Sequence, residues 1–151
     1  MKESLEKAKE ELKRVDHLIY VSLKYTRTCD VFKSIIERLI NAIDFMIESM
    51  LKKAKEDKKL ANFPPQPRAK CLLLAENLEH EELKEMCNFY LLLRQIDQAP
   101  FTRDREYRRH VTMTVNIGGK KHEVDIDNIT AYYKKTKVFY DIIEKIVHGK
   151  E

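Results

Sequence analysis

The sequence predicts a mainly α fold, an up-and-down bundle of four to five helices with one β-hairpin inserted before the last helix. Apolar residues recur at spacings of three and four through most of the chain, the signature of amphipathic helices. One stretch alone, residues 111–126, switches to strict alternation, and Gly118-Gly119 interrupts it. Glycine is scarce, at 3 of 151 residues, while 36% of the residues are charged, the composition of long helices. A chain of this length is expected to form a single domain, 1–151, able to bury roughly 70% of its extended surface.

The first helix begins near Lys2. Leu5, Ala8, Leu12, Val15 and Ile19 form its stripe and carry it to about Tyr25. Thr26 to Asp30 breaks it, because Thr and Asp favour caps over helix interiors. The second helix spans 31–56 and is the central one. Ile35, Ile36, Leu39, Ile40, Ile43, Met46, Ile47, Met50 and Leu51 make a band too broad for one neighbour. It ends in a charged run that includes Lys58 and Lys59. Phe63-Pro64-Pro65-Gln66-Pro67 is a loop, and Pro67 suits the first turn of a short helix over 68–76. A longer helix over 79–98 places Leu83, Met86, Cys87, Phe89, Tyr90, Leu93 and Ile96 on one side, and Pro100 stops it.

The Gly-Gly turn sets the hairpin register. Ile117 faces Lys120, Val115 faces His122, Met113 faces Val124, and Val111 faces Ile126. One face is then Val111, Met113, Val115, His122, Val124 and Ile126, which must cover the bundle because a lone hairpin is marginal in water. His122 on that face is expected to be a partly buried, hydrogen-bonded structural residue. Asp127 or Asn128 caps the last helix, which runs to about Val147 and is followed by Gly149.

The net charge of +4 is mild, but it is concentrated. Between Phe101 and Glu123, six cations (Arg103, Arg105, Arg108, Arg109, Lys120 and Lys121) face three acids (Asp104, Glu106 and Glu123). The run Arg103-Asp104-Arg105-Glu106-Tyr107-Arg108-Arg109-His110 joins guanidinium forks suited to phosphate, an aromatic ring suited to base stacking, and an imidazole suited to proton transfer. No His or Cys pairs at zinc-ligand spacing, and there is no Gly-rich phosphate loop or nucleophile elbow, so no metal and no cofactor is expected. Cys29, Cys71 and Cys87 are an odd, scattered set that suits a reducing compartment. Met1-Lys2-Glu3-Ser4 leads into charged helix, and no run approaches the ~18 apolar residues of a membrane span, so a cytoplasmic protein is expected.

Three stretches together resemble the HEPN superfamily of prokaryotic helical bundles, often encoded beside nucleotidyltransferases. They are residues 8–42, with Val15-Asp16-His17-Leu18-Ile19-Tyr20 leading into the second helix; residues 90–101, Tyr90-Leu91-Leu92-Leu93-Arg94-Gln95-Ile96-Asp97-Gln98-Ala99-Pro100-Phe101; and the closing helix over 129–147. The resemblance implies a homodimer, an RNA partner, and a nucleotidyltransferase-type or other protein partner. It also implies a metal-independent endoribonuclease motif, an Arg followed by four to six residues and then His. Arg94 takes the expected arginine place, but the chain reaches Pro100 and Phe101 with no histidine. The pair by spacing is Arg105 and His110. The reading that follows is a HEPN-like module that binds nucleic acid or protein without catalysis, through Arg94, Arg103, Arg105, Tyr107, Arg108, Arg109, Lys120 and Lys121. The alternatives are an endoribonuclease using Arg105 and His110, or an adaptor that engages a protein through the hairpin.

Overall fold

In the computed structural model, which describes residues 2–58, 62–77 and 80–148, five helices form a bundle and a small antiparallel sheet precedes the last of them. Helix α1 is Lys2–His17, continued by a π-helical turn Leu18–Ser22 and three α-helical residues Leu23–Tyr25. Helices α2, α3, α4 and α5 are Cys29–Glu56, Pro67–Asn77, Glu81–Gln98 and Ile126–Val147. Strands β1, β2 and β3 are Phe101–Asp104, Thr112–Ile117 and Lys120–Val124. Lys59, Glu79 and Gly149, read above as a helix end, a helix start and a helix stop, lie outside the described residues.

The spacing of apolar residues explains the π turn. Val15, Ile19 and Leu23 are separated by two steps of four. On an α-helix those steps drift about 80° round the axis. The wider turn takes up the drift, and all three side chains stay buried. Tyr20 and Val21 are turned outward instead.

Helix α2 is central, packed by α1, α3, α4 and α5. Phe32, Ile35, Ile36, Leu39, Ile43, Met46 and Ile47 are buried along it, each worth roughly 1.5–3 kcal/mol relative to exposure. It starts two residues earlier than its periodicity suggests. Thr28 is the N-cap, its hydroxyl accepting from the amide of Val31 at 3.3 Å. Helix α5 likewise starts one residue before its expected cap: Asp125 accepts from the Asn128 amide at 2.8 Å, so Ile126 is the first helical residue. Ile126 therefore does not extend the hairpin to pair with Val111.

The hairpin register is as expected, with Met113 opposite Val124, Val115 opposite His122 and Ile117 opposite Lys120. A third strand adds to it. β1 pairs antiparallel with β2, with Phe101 opposite Val115 and Arg103 opposite Met113. Val111, Met113, Val115 and Val124 are fully buried, and β2 lies against α2 and α4. His122 departs from expectation. It shares the bundle-side face but is exposed, because β3 is an edge strand and its first three residues overhang the bundle.

Candidate nucleic-acid interface

The basic run forms the end of β1 and the loop to β2, residues 105–111, and two contacts fasten it to the start of α2. The Glu106 carboxylate accepts from the backbone amide of Cys29 at 2.9 Å. It thus fills one of the amide positions that a helix N-terminus leaves open, where negative charge is also favoured. The backbone amide of Tyr107 donates to the carbonyl of Arg27 at 2.6 Å. To make these contacts the loop folds through left-handed backbone at Arg105 (φ 54°) and Tyr107 (φ 67°). Side-chain-bearing residues seldom adopt that conformation, and it stores roughly 1–3 kcal/mol at each position.

The cations of this run are not equivalent. Arg103 lies on the bundle-side face of β1 and is neutralised. One guanidinium nitrogen is 3.0 Å from Asp30 Oδ1 and the other 3.4 Å from Glu106 Oε2, and the group sits over the Phe101 ring. The hydrogen bond to Asp30, supported by Glu106, raises its pKa further. Arg103 is thus a strut between β1, the loop and α2. Arg105 leans towards Asp104 at 3.8 Å and is otherwise exposed. Arg108 and Arg109 are exposed and form no ion pair with the described residues. His110 is exposed. Its backbone carbonyl accepts from the Thr112 hydroxyl at 2.9 Å, and among the described residues no group holds its imidazole.

The remaining candidates lie elsewhere. Lys120 and Lys121 follow the Gly118-Gly119 turn, at the opposite end of β2 from the loop. Five residues of strand separate those ends, about 17 Å. Arg94 is on α4, where one guanidinium nitrogen is 3.5 Å from the Tyr90 hydroxyl and the group lies over the Tyr90 ring. That hydroxyl donates in turn to Asp44 of α2. Burial raises the Asp44 carboxyl above the ordinary carboxylate range, against the pull of the Tyr90 hydrogen bond and of Arg94. Arg94 therefore belongs to a half-buried polar network between α2 and α4. The sequence-selected residues divide into one surface cluster (Arg105, Tyr107, Arg108, Arg109 and His110), a distant lysine pair, and two structural arginines.

Sequence periodicity missed what lies beside the cluster. The end of the α1 run carries Lys24 and Tyr25, and Arg27 follows. Tyr25 is 79% exposed and Tyr107 72% exposed, the two most exposed large apolar side chains of the chain's described residues. No local signal marks Tyr25, since its relation to the loop is created by a contact across eighty residues of chain. Cys29, at the N-terminus of α2, has the setting that often activates a thiol. Here burial and then the neighbouring Glu106 carboxylate push its pKa up, and its Sγ donates to the Thr112 carbonyl at 3.5 Å. It is a packing residue.

No family model matches the chain, and no curated protein or solved structure matches it either.

Proposed function

We propose that this chain is a HEPN-like, RNA-associated binding module that holds phosphates on its β1–β2 loop. The observation that carries this reading is the pair Arg108 and Arg109. They stand exposed, without acidic partners among the described residues, on a loop fixed in place by Glu106 and Tyr107. Two exposed guanidinium groups on a tethered loop, beside an exposed tyrosine, suit a polyanion that also presents aromatic rings.

Salt titration of binding to single-stranded RNA tests it. Each neutralised phosphate contributes a slope of about −0.7 in log affinity against log salt. With Arg105, Arg108 and Arg109 engaged, affinity should fall about twentyfold between about 50 and 200 mM salt. Arg108→Ala should remove about one contact from that slope. Lys120→Ala should leave the slope unchanged, because Lys120 lies at the opposite end of β2 from the loop. RNA cleaved in EDTA by the wild type but not by His110→Ala would convert the module into an endoribonuclease. Absence of binding at the lower salt would leave the adaptor.

A further inference from the structure

We propose that the β1–β2 loop and the end of the α1 run together form a stacking platform for a single-stranded polynucleotide. Tyr107 and Tyr25 are its base-facing rings, and Arg27, Arg108 and Arg109 surround them with positive charge. The inference rests on the nucleic-acid reading above and adds the strand type, the mode of contact and a second segment of chain.

Three observations converge on this surface. The first is exposure. Tyr25 and Tyr107 leave 79% and 72% of their surface to solvent, although aromatic burial is among the largest stabilising terms a side chain can supply. The second is adjacency. Tyr107 donates its amide to the carbonyl of Arg27, which is two residues, at most about 7 Å of chain, from Tyr25. The third is strain. Tyr107 occupies left-handed backbone (φ 67°), where glycine or asparagine would sit with less penalty. A tyrosine held there contributes an exposed ring and a fixed direction.

Charge decides what the rings face. Lys24 and Arg27 flank Tyr25 in the chain, and Arg105, Arg108 and Arg109 flank Tyr107; the nearby acids Asp30 and Glu106 are occupied by Arg103, and Asp104 by Arg105. A polyanion with flat faces fits this set. A duplex does not, because its bases already stack on one another and present only edges in its grooves. Unpaired bases have free faces, and stacking on protein rings tolerates any base. Because the loop is tied to α2 by Glu106 and to the end of α1 by Tyr107, the platform exists before the strand arrives, which limits the ordering cost of binding.

The chain contains no tryptophan, so Tyr107→Trp and Tyr25→Trp each introduce a single site-specific fluorophore. Emission of both should be quenched by a single-stranded RNA of mixed sequence, and not by inorganic polyphosphate, which offers charge without bases. The same sequence as single-stranded DNA separates the two sources of such a strand: equal quenching means that stacking alone is used, and stronger quenching by RNA means that the 2′-hydroxyl is also read. Tyr107→Ala and Tyr25→Ala should each weaken binding about tenfold, with the salt slope unchanged, since a ring neutralises no phosphate. The corresponding Phe variants should bind as the wild type does. Both rings are exposed, so thermal melting should show all these variants folded.

The platform is overturned if both Ala variants bind like the wild type while Arg108→Ala does not. The phosphate-holding reading would then survive alone. It is also overturned if a duplex of the same sequence binds and quenches equally well. If the wild type binds no RNA at low salt, both readings fall.

Discussion

Arginine 94 and arginine 103 show how much a residue's role depends on what meets it in space. In the sequence both are cations near a basic segment. In the fold, Asp30 and Glu106 claim one, and Tyr90 claims the other within reach of Asp44. Asp44 gives the second network a measurable pH dependence. Burial is the largest influence on it and raises its pKa, so the folded state holds the Asp44 proton more tightly than the unfolded chain does. Its contribution to stability is then fully present below the ordinary carboxylate range and is lost as pH rises through the raised value. Asp44→Asn keeps an acceptor for the Tyr90 hydroxyl and removes the ionisation. Its thermal midpoint should vary less than that of the wild type across the mildly acidic range, and should equal or exceed it near neutrality. A variant whose midpoint follows the wild-type pH curve would place the dependence on another group. Such a network is invisible in sequence, because Asp44 reads only as one polar residue on a long amphipathic helix.

Elements were legible where a period persists and illegible where it is too short to establish itself. The four long helices and the β2–β3 register, set by the Gly-Gly turn, follow from spacing, whereas the short α3 is marked by Pro67 at its start. Strand β1 does not, since Phe101-Thr102-Arg103-Asp104 offers one apolar residue and no alternation. Its partner supplies the reason it is a strand: Arg103 pairs across from Met113 and turns its charge to the α2 N-terminus. His122 follows the alternation correctly and is still exposed, because period 2 assigns a face but not how far the bundle extends beneath it. The sheet's orientation can be tested by a matched pair of substitutions. Val124 is fully buried beneath the sheet, so Val124→Asp should destabilise the protein by about 3 kcal/mol or more. Thr114 lies on the outer face directly opposite Glu123, so Thr114→Lys should be neutral or stabilise by up to about 1 kcal/mol. Chemical denaturation of the two variants reads both numbers, and equal destabilisation would mean that the wrong face is turned inward.

At the scale of the whole molecule, the candidate site joins distant parts of the chain. The Cys29–Glu106 bond spans 77 positions, and the loop becomes a surface only once α2 and the end of the α1 run lie beside it. The cationic half of that surface was legible as a local run of arginines. Its aromatic and α1-derived half was not, because nothing local distinguishes Tyr25 from a residue at the frayed end of a helix. The same helix end bears on assembly. The π turn pushes Tyr20 and Val21 outward, leaving 51% and 43% of their surfaces exposed, and Tyr20 meets Tyr133 of α5 edge-on with ring centroids 6.4 Å apart. An exposed apolar pair at a helix–helix seam is a candidate self-association surface. The expected species in sedimentation at micromolar concentration has twice the 18.0 kDa mass of the chain. Val21→Glu introduces a charge that a two-fold contact would set against its own copy, so this variant should sediment as the 18.0 kDa monomer with its melting behaviour otherwise preserved. A wild type that stays at 18.0 kDa would sink the dimer. A Val21→Glu variant that remains dimeric would move the interface away from the π turn. Two platforms on one dimer would also bind a strand long enough to reach both more tightly than one platform can, so monomerisation should weaken binding of long RNA more than that of short RNA.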